Sequence, residues 1–73
     1  MTKLREAREN AGLRREYVAK ALGISPDHLN LLERGKSALS LKRVDTLATL
    51  YNIPFEEMAK IALEAIKGAE KNG

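Results

Sequence analysis

Residues 15–34 constrain the fold more than any other part of the chain. In REYVAKAL the apolar side chains recur at helical spacing, and Gly23 interrupts the pattern where a left-handed backbone commonly ends a helix. Ser25 is a good helix N-cap and Pro26 suits a first helical position, after which leucines resume the spacing. The sequence therefore predicts two short helices joined by a tight turn.

The small and apolar residues of this segment have mechanical roles. Ala19 lies where the second helix must cross close to the first, and a longer side chain there would push the two apart. Ile24, Leu29 and Leu32 would fill the angle between the helices. This is the pattern of a helix-turn-helix, whose second helix usually enters the major groove of DNA. An ordinary helical hairpin, which needs only short helices and a glycine, is the alternative.

Length and composition favour one small helical domain over residues 1–73. The chain has no cysteine, and its single histidine, His28, cannot build a zinc site alone. Aromatic residues make up only 4% of the chain, so the core must be aliphatic. Leu, Ile, Val and Ala at a period of 3.6 residues suit an all-α bundle. We expect no metal, no cofactor and no enzymatic activity, because no set of residues forms a credible catalytic group.

The sequence also bears on where the protein acts. No apolar stretch approaches the roughly 18 to 20 residues needed to span a bilayer. The first ten residues, MTKLREAREN, are charged and lack the apolar centre of a signal peptide. We therefore expect a soluble, cytoplasmic protein with no membrane partner.

Charge is distributed unevenly along the chain. Residues 1–43 carry ten Lys or Arg and five Asp or Glu, whereas residues 44–73 carry three and five. A basic front half that contains the helix-turn-helix fits a polyanionic partner, because phosphate contacts supply most non-specific binding. A merely solvated surface is the alternative.

Helical periodicity and capping residues predict five helices. Gly12 closes the first, and Ser40 caps the fourth, in which Leu41 and Val44 begin the apolar face. Asn52 can adopt the left-handed conformation that ends the fourth helix, and Gly68 is expected to end the fifth. The predicted ranges are 2–11, 15–22, 26–33, 41–51 and 54–67, with a frayed tail over 68–73.

The order and spacing of these segments resemble the lambda-repressor-like domain of phage repressors, Cro proteins and Xre-type regulators. The resemblance covers residues 4–58 and rests on LREAREN, AG and L at the start, then VAKALGIS, LERGKS and SLKRVDTLATLYNI. It implies a compact five-helix bundle in which helices 2 and 3 form the helix-turn-helix. It also implies a transcriptional regulator that binds double-stranded DNA sequence-specifically, with residues 26–33 as the recognition helix in the major groove.

The resemblance further implies roles for charged residues. Arg8 and Glu33 match an ion pair that fixes helix 3 against helix 1, with two solvated surface charges as the alternative. Arg14 and Arg15 stand where helix 2 of the family begins with a polar residue at a phosphate, and Arg34 and Lys36 match the family's backbone-contacting loop. Lys42 and Arg43 can extend this set. The phosphate-contacting candidates are therefore Arg14, Arg15, Arg34, Lys36, Lys42 and Arg43, and any one of them can instead simply solvate the surface.

The outward face of helix 3 carries the base-reading candidates. Asn30 suits adenine, and Leu31 suits the methyl group of thymine. Asp27 can accept a hydrogen bond from cytosine or merely complement the positive end of the helix. Leu31 can instead mark a protein-binding surface or extend the core. The full set of candidates is Ser25, Asp27, His28, Asn30 and Leu31.

Helix 5 carries two neighbouring apolar stripes. The first is expected to pack on the bundle, and the second can either wrap the core or remain uncovered in a monomer. The resemblance implies that the last helix contributes to a homodimer, which would present two recognition helices roughly 34 to 36 Å apart to a palindromic operator. The first stripe contains Phe55, Met58, Ile61, Ala62 and Ala65, and the dimer-interface candidates are Ala59, Leu63 and Ile66.

A rival function uses the same fold to bind a protein instead of DNA. In that case the chain would be an antitoxin-like or accessory subunit that contacts its partner through Leu31 or through the C-terminal helix. The sequence leaves both functions open.

Overall fold

Five α-helices and their connections make up the described part of the chain. The computed structural model describes residues 2–72, and the side chains of residues 2–69. No strand occurs within residues 2–72. The all-α fold with a helix-turn-helix, predicted from the sequence, is confirmed. The helices are α1 (Lys3–Asn10), α2 (Arg15–Leu22), α3 (Pro26–Glu33), α4 (Leu41–Tyr51) and α5 (Phe55–Asn72).

Local capping explains most boundaries of the first four helices, which lie within one residue of the predicted ones; Arg14, before α2, makes no side-chain cap. The hydroxyl oxygens of Thr2, Ser25 and Ser40 each accept a hydrogen bond from the backbone N–H three residues later. Such caps each contribute about 1 kcal/mol to helix stability. Gly23 ends α2 at φ 71° and Asn52 ends α4 at φ 57°, both in the left-handed region. These boundaries are therefore set by residues within one turn of each helix end.

The predicted end of helix 5 near Lys67 was wrong. The helix continues through Gly68 to Asn72, into the segment for which the sequence predicts a frayed tail, and Gly73 lies outside the described residues. Gly68 does not have the positive φ of a helix-ending glycine. One glycine inside a helix costs only about 1 kcal/mol relative to alanine, and the Ala, Glu and Lys that follow favour helix.

The apolar core lies where the helix-turn-helix meets α4 and α5. Val18, Leu29 and Leu32 of the helix-turn-helix are buried, as is Met58 of α5. Ala19 is 1% exposed, as expected for the close crossing of α2 and α3. Phe55, expected in the packed stripe of helix 5, remains 39% exposed. The core thus holds α3 from behind and leaves its opposite face outside.

Candidate nucleic-acid interface

A buried ion pair fixes the C-terminal end of α3 against α1. The Nε of Arg8 donates to Oε2 of Glu33 at 2.6 Å, and Nη2 lies 3.4 Å from Oε1. A third donor, Nη1, bonds the backbone oxygen of Leu13 at 3.1 Å. The two residues are only 6% and 4% exposed, so neither is the solvated surface charge of the alternative hypothesis. The hydrogen bond to Glu33 raises the pKa of Arg8 despite the opposing effect of burial.

The N-terminal residue of the described chain adds a second attachment at the same place. The hydroxyl of Thr2 donates to the backbone oxygen of Glu33 at 2.5 Å while its oxygen caps α1. The last turn of α3 is therefore held at two points of Glu33, its carboxylate and its backbone oxygen. This attachment restricts how α3 can tilt against the rest of the bundle.

Tyr51, the last residue of α4, lies close enough to this ion pair for both charges to act on its pKa. Its side chain is buried, and this burial raises the pKa of the phenol, with a further rise from the negative charge of Glu33 and an opposing effect of Arg8. The folded state thus favours the neutral phenol. Stability from this group is present below the unfolded pKa of about 10 and is lost as the pH rises above it.

We expect the Tyr51→Phe variant to lose less stability than the wild type in strong base. Above about pH 10, a tyrosine that ionises only in the unfolded state makes the free energy of unfolding fall by about 1.4 kcal/mol per pH unit. Urea unfolding followed at pH 9, 10 and 11 measures the difference between the two proteins. Parallel stability profiles over this range would contradict the prediction.

On the outward face of α3, some residues have hydrogen-bond partners among the described residues and others do not. The hydroxyl of Ser25 accepts from the N–H of His28 at 3.1 Å, and Nε2 of His28 lies 3.4 Å from the hydroxyl of Ser37. Asp27 and Leu31 are exposed, and Asn30 is half-buried. Leu31 is 42% exposed, so it does not extend the core. Asp27 lies in the first turn of α3, where a negative charge complements the helix dipole.

Basic residues stand at both ends of the helix-turn-helix. Arg14 is exposed immediately before α2, and Arg15 is half-buried in its first turn. The Nε of Arg15 is buried and has no hydrogen-bond partner among the described residues. Arg34 caps the end of α3, and Lys36 follows it; both are exposed. The four cations therefore flank the motif on either side.

A groove between α2 and α4 is lined by a further basic residue, Lys20, together with two of the predicted candidates. Lys42 and Arg43, in the first turn of α4, line the groove together with Lys20 from the last turn of α2. Lys20 is not among the candidates predicted from the sequence, because nothing in the local pattern shows that α4 begins beside the end of α2. Its one sequence signal is that it belongs to the basic front half of the chain.

The dimer-interface candidates line a second, apolar groove. Ala59 and Ile66 are half-buried, and Leu63 is 51% exposed. The spacing of helix 4 predicts that Leu41 faces the core, but this was wrong, because Leu41 is 74% exposed at the first position of α4. The groove is lined by Leu39, Leu41, Val44, Ala59, Ala62, Leu63 and Ile66.

Within residues 2–72 no three His, Asp or Glu side chains are grouped so as to hold a metal ion. None of the described helices has the length and apolar character that crossing a membrane requires.

The comparisons identify the family. A family model described as "Helix-turn-helix" matches residues 4–58, which contain the buried ion pair, α2, α3 and α4. The chain belongs to the Xre and lambda-repressor-like family of helix-turn-helix DNA-binding regulators. The resemblance seen in the sequence is thus confirmed.

A relative from a bacterium supports the same family. The chain is 39% identical over 56 residues to the HTH-type transcriptional regulator DdrOP3 of Deinococcus deserti. The match covers 77% of this chain and 43% of the relative, so the chain spans less than half the length of that protein. No solved structure gives a significant match.

Proposed function

We propose that this chain regulates transcription as a homodimer that places α3 in the major groove of a palindromic operator. The observation that supports this most is the contrast between the two faces of α3. Its inner face is fixed by Leu29, Leu32 and the buried Glu33, whereas Asp27 and Leu31 are exposed on the outer face. A recognition helix needs such a rigid attachment, because base contacts require fixed geometry.

Phosphate contacts position the protein on the duplex in this proposal. Arg14 and Arg15 act at the start of α2, and Arg34 and Lys36 act after α3, so that contacts fall on both sides of the recognition helix. The groove residues Lys42 and Arg43 extend this surface, and we add Lys20 to them because it lines the same groove. The charged groups of these side chains suit charge-assisted hydrogen bonds to phosphate oxygens.

Sequence discrimination then falls mainly on three side chains of α3. Asn30 recognises adenine, Leu31 packs on a thymine methyl, and Asp27 accepts from cytosine. Ser25 and His28 contribute less, because they already have partners in the cap of α3 and in the loop that follows it. We expect few base-specific hydrogen bonds per half-site, and hence a large share of affinity from phosphates.

The apolar groove on α5 supplies the dimer contact. Leu63 and Leu41 expose large apolar side chains side by side, and Ala59 and Ile66 line the same groove. Two copies related by a two-fold axis can cover this surface by packing Leu63 and Leu41 against their counterparts. Such an arrangement sets the distance between the two α3 helices.

We expect the Leu63→Ser variant to weaken the dimer by about 30-fold or more, because a central apolar anchor typically contributes 2 kcal/mol or more. Sedimentation equilibrium over a range of protein concentrations measures the dissociation constant. Lys60→Ser is the matched control, since Lys60 is an exposed residue of α5 outside the groove. A monomeric wild type at all concentrations, or equal weakening by both variants, would refute this interface.

Selection of bound sequences from a random duplex pool tests the function as a whole. Together with the mass of the complex in solution, it reports the site, its symmetry and the number of copies bound. We expect enrichment of a palindrome whose half-sites are one helical turn apart. The failure of the folded protein to retain any duplex at low salt would reject the proposal.

The exposure of Leu31 favours a second candidate function, binding of a protein partner through α3. The Leu31→Gln variant separates the two. A changed preference at one base pair supports DNA recognition, whereas loss of a protein complex with unchanged DNA selectivity supports the protein-interaction module.

A further inference from the structure

The loop after α3 rests directly on the second half of α5. Gly35 has φ 72°, and a Cβ built at this position would overlap the backbone carbonyl of Ala65. The same Cβ would lie 3.1 Å from the Cβ of Ala69. The main chain between Arg34 and Lys36 therefore fits against α5 with no space for a side chain.

The part of α5 that supports this loop lies outside the residues that the family model matches. The match ends at residue 58, whereas Ala65 and Ala69 belong to the last turns of α5. Ala69 also lies beyond Lys67, where the sequence predicts that the helix ends. The continuation of α5 through Gly68 thus has a structural consequence, because it completes the surface on which the loop rests.

We propose that Ala65 and Ala69 are positioning residues for DNA binding, which act by setting where Arg34 and Lys36 meet the phosphates. The two basic residues flank Gly35 directly, so a displacement of this glycine moves both of them. The inference rests on the proposed function of Arg34 and Lys36. It adds that the end of α5 determines their geometry.

The same helix turns carry the proposed dimer contact. Leu63 and Ile66 line the apolar groove, and Ala65 lies between them in sequence while supporting the loop on another side of α5. A helix is stiff over one turn, so a partner that fixes Leu63 and Ile66 also fixes the position of Ala65, which supports the loop. Dimerisation and phosphate contact are therefore mechanically linked through one helix.

The matched pair Gly35→Ala and Gly12→Ala tests the proposal. Both glycines have a left-handed backbone, with φ 72° and φ 74°, so the conformational strain of an alanine is the same. A Cβ at Gly12 meets nothing within 4 Å, whereas a Cβ at Gly35 meets α5. We expect Gly35→Ala to weaken DNA binding at least about 10-fold at 0.1 M salt and to reduce the salt slope by about 2 per protomer, as for two lost phosphate contacts in each protomer. Gly12→Ala is expected to change neither.

A double-mutant comparison separates positioning from a general loss of structure. In a variant that carries Arg34→Gln and Lys36→Gln, the further change Gly35→Ala should weaken DNA binding little, because the contacts it displaces are already absent. If Gly35→Ala does not fold, Ala69→Val presses on the loop from the helix side, with Lys67→Val as its exposed control. NMR shifts of the Gly35 amide in Ala69→Val report the displacement directly.

The outcomes distinguish this inference from the proposed function. Absence of salt-dependent DNA binding by the folded wild type would reject the function. If the wild type binds but Gly35→Ala and Gly12→Ala bind with equal affinity and salt slope, the positioning role is wrong while the function stands. An equal further loss from Gly35→Ala in the wild type and in the doubly neutralised variant would also overturn it.

Discussion

Glu33→Gln and Arg8→Met are each expected to destabilise the domain by about 3 to 5 kcal/mol, because each strands the other partner of a buried ion pair. The pair is closed by a 2.6 Å hydrogen bond and is almost fully buried. Domains of this size rarely have more than about 3 to 5 kcal/mol of net stability from their core alone. Either variant should therefore be largely unfolded at 25 °C, as measured by helical circular dichroism and urea titration.

An exposed ion pair in the same structure is the control. Lys3 and Glu64 lie 3.3 Å apart, but their side chains are 68% and 42% exposed. Glu64→Gln should cost no more than about 1 kcal/mol, because water screens exposed charges. The double variant Arg8→Met with Glu33→Gln should recover part of the loss, since no uncompensated charge is then buried. A loss from Glu33→Gln as small as that from Glu64→Gln would show that the pair does not secure α3.

The helix boundaries could be predicted where they depend on neighbouring residues. Ser25 and Ser40 cap helices through their own hydroxyls, and Gly23 and Asn52 end them through their own backbone conformation. Such interactions lie within one turn and are visible in the sequence. For this reason the bounds of α2, α3 and α4 match their predicted ranges.

The end of α5 could not be predicted in the same way. The rule that a glycine ends a helix describes an isolated segment, whereas Gly68 lies in a helix whose neighbours Ala65 and Ala69 pack on the loop at Gly35. Tertiary packing of this kind offsets a weak local preference. The length of α5 is thus a property of the folded bundle.

The candidate site, too, could be predicted from the sequence only in part. The basic residues around α3 follow from the sequence and from the family resemblance, but their neighbours do not. Lys20 joins Lys42 and Arg43 only because α4 begins beside the end of α2, and Leu41 is exposed only because it precedes the part of α4 that reaches the core. Sequence spacing gives the face of a helix, and only the packing of helices decides what that face meets.

For each protomer bound, DNA affinity is expected to weaken about 10³-fold between 50 mM and 200 mM salt. Six phosphate contacts per protomer give a slope near −5 for each protomer in a plot of log affinity against log salt, and hence a slope near −11 for a dimer on its operator, because each contact releases condensed counterions. The candidates for these contacts are Arg14, Arg15, Arg34, Lys36, Lys42 and Arg43. Fluorescence anisotropy with a labelled duplex at four salt concentrations measures the slope.

The Lys20→Gln variant tests whether Lys20 belongs to the phosphate-contacting surface. If Lys20 contacts a phosphate from the groove it shares with Lys42 and Arg43, its neutralisation reduces the slope by about 1 per protomer and weakens all duplex sequences equally. Lys60→Gln removes the same charge from α5, outside that groove, and should leave the slope unchanged. Equal slopes for the wild type and Lys20→Gln would exclude Lys20 from the interface, and affinity that does not depend on salt would argue against phosphate contacts altogether.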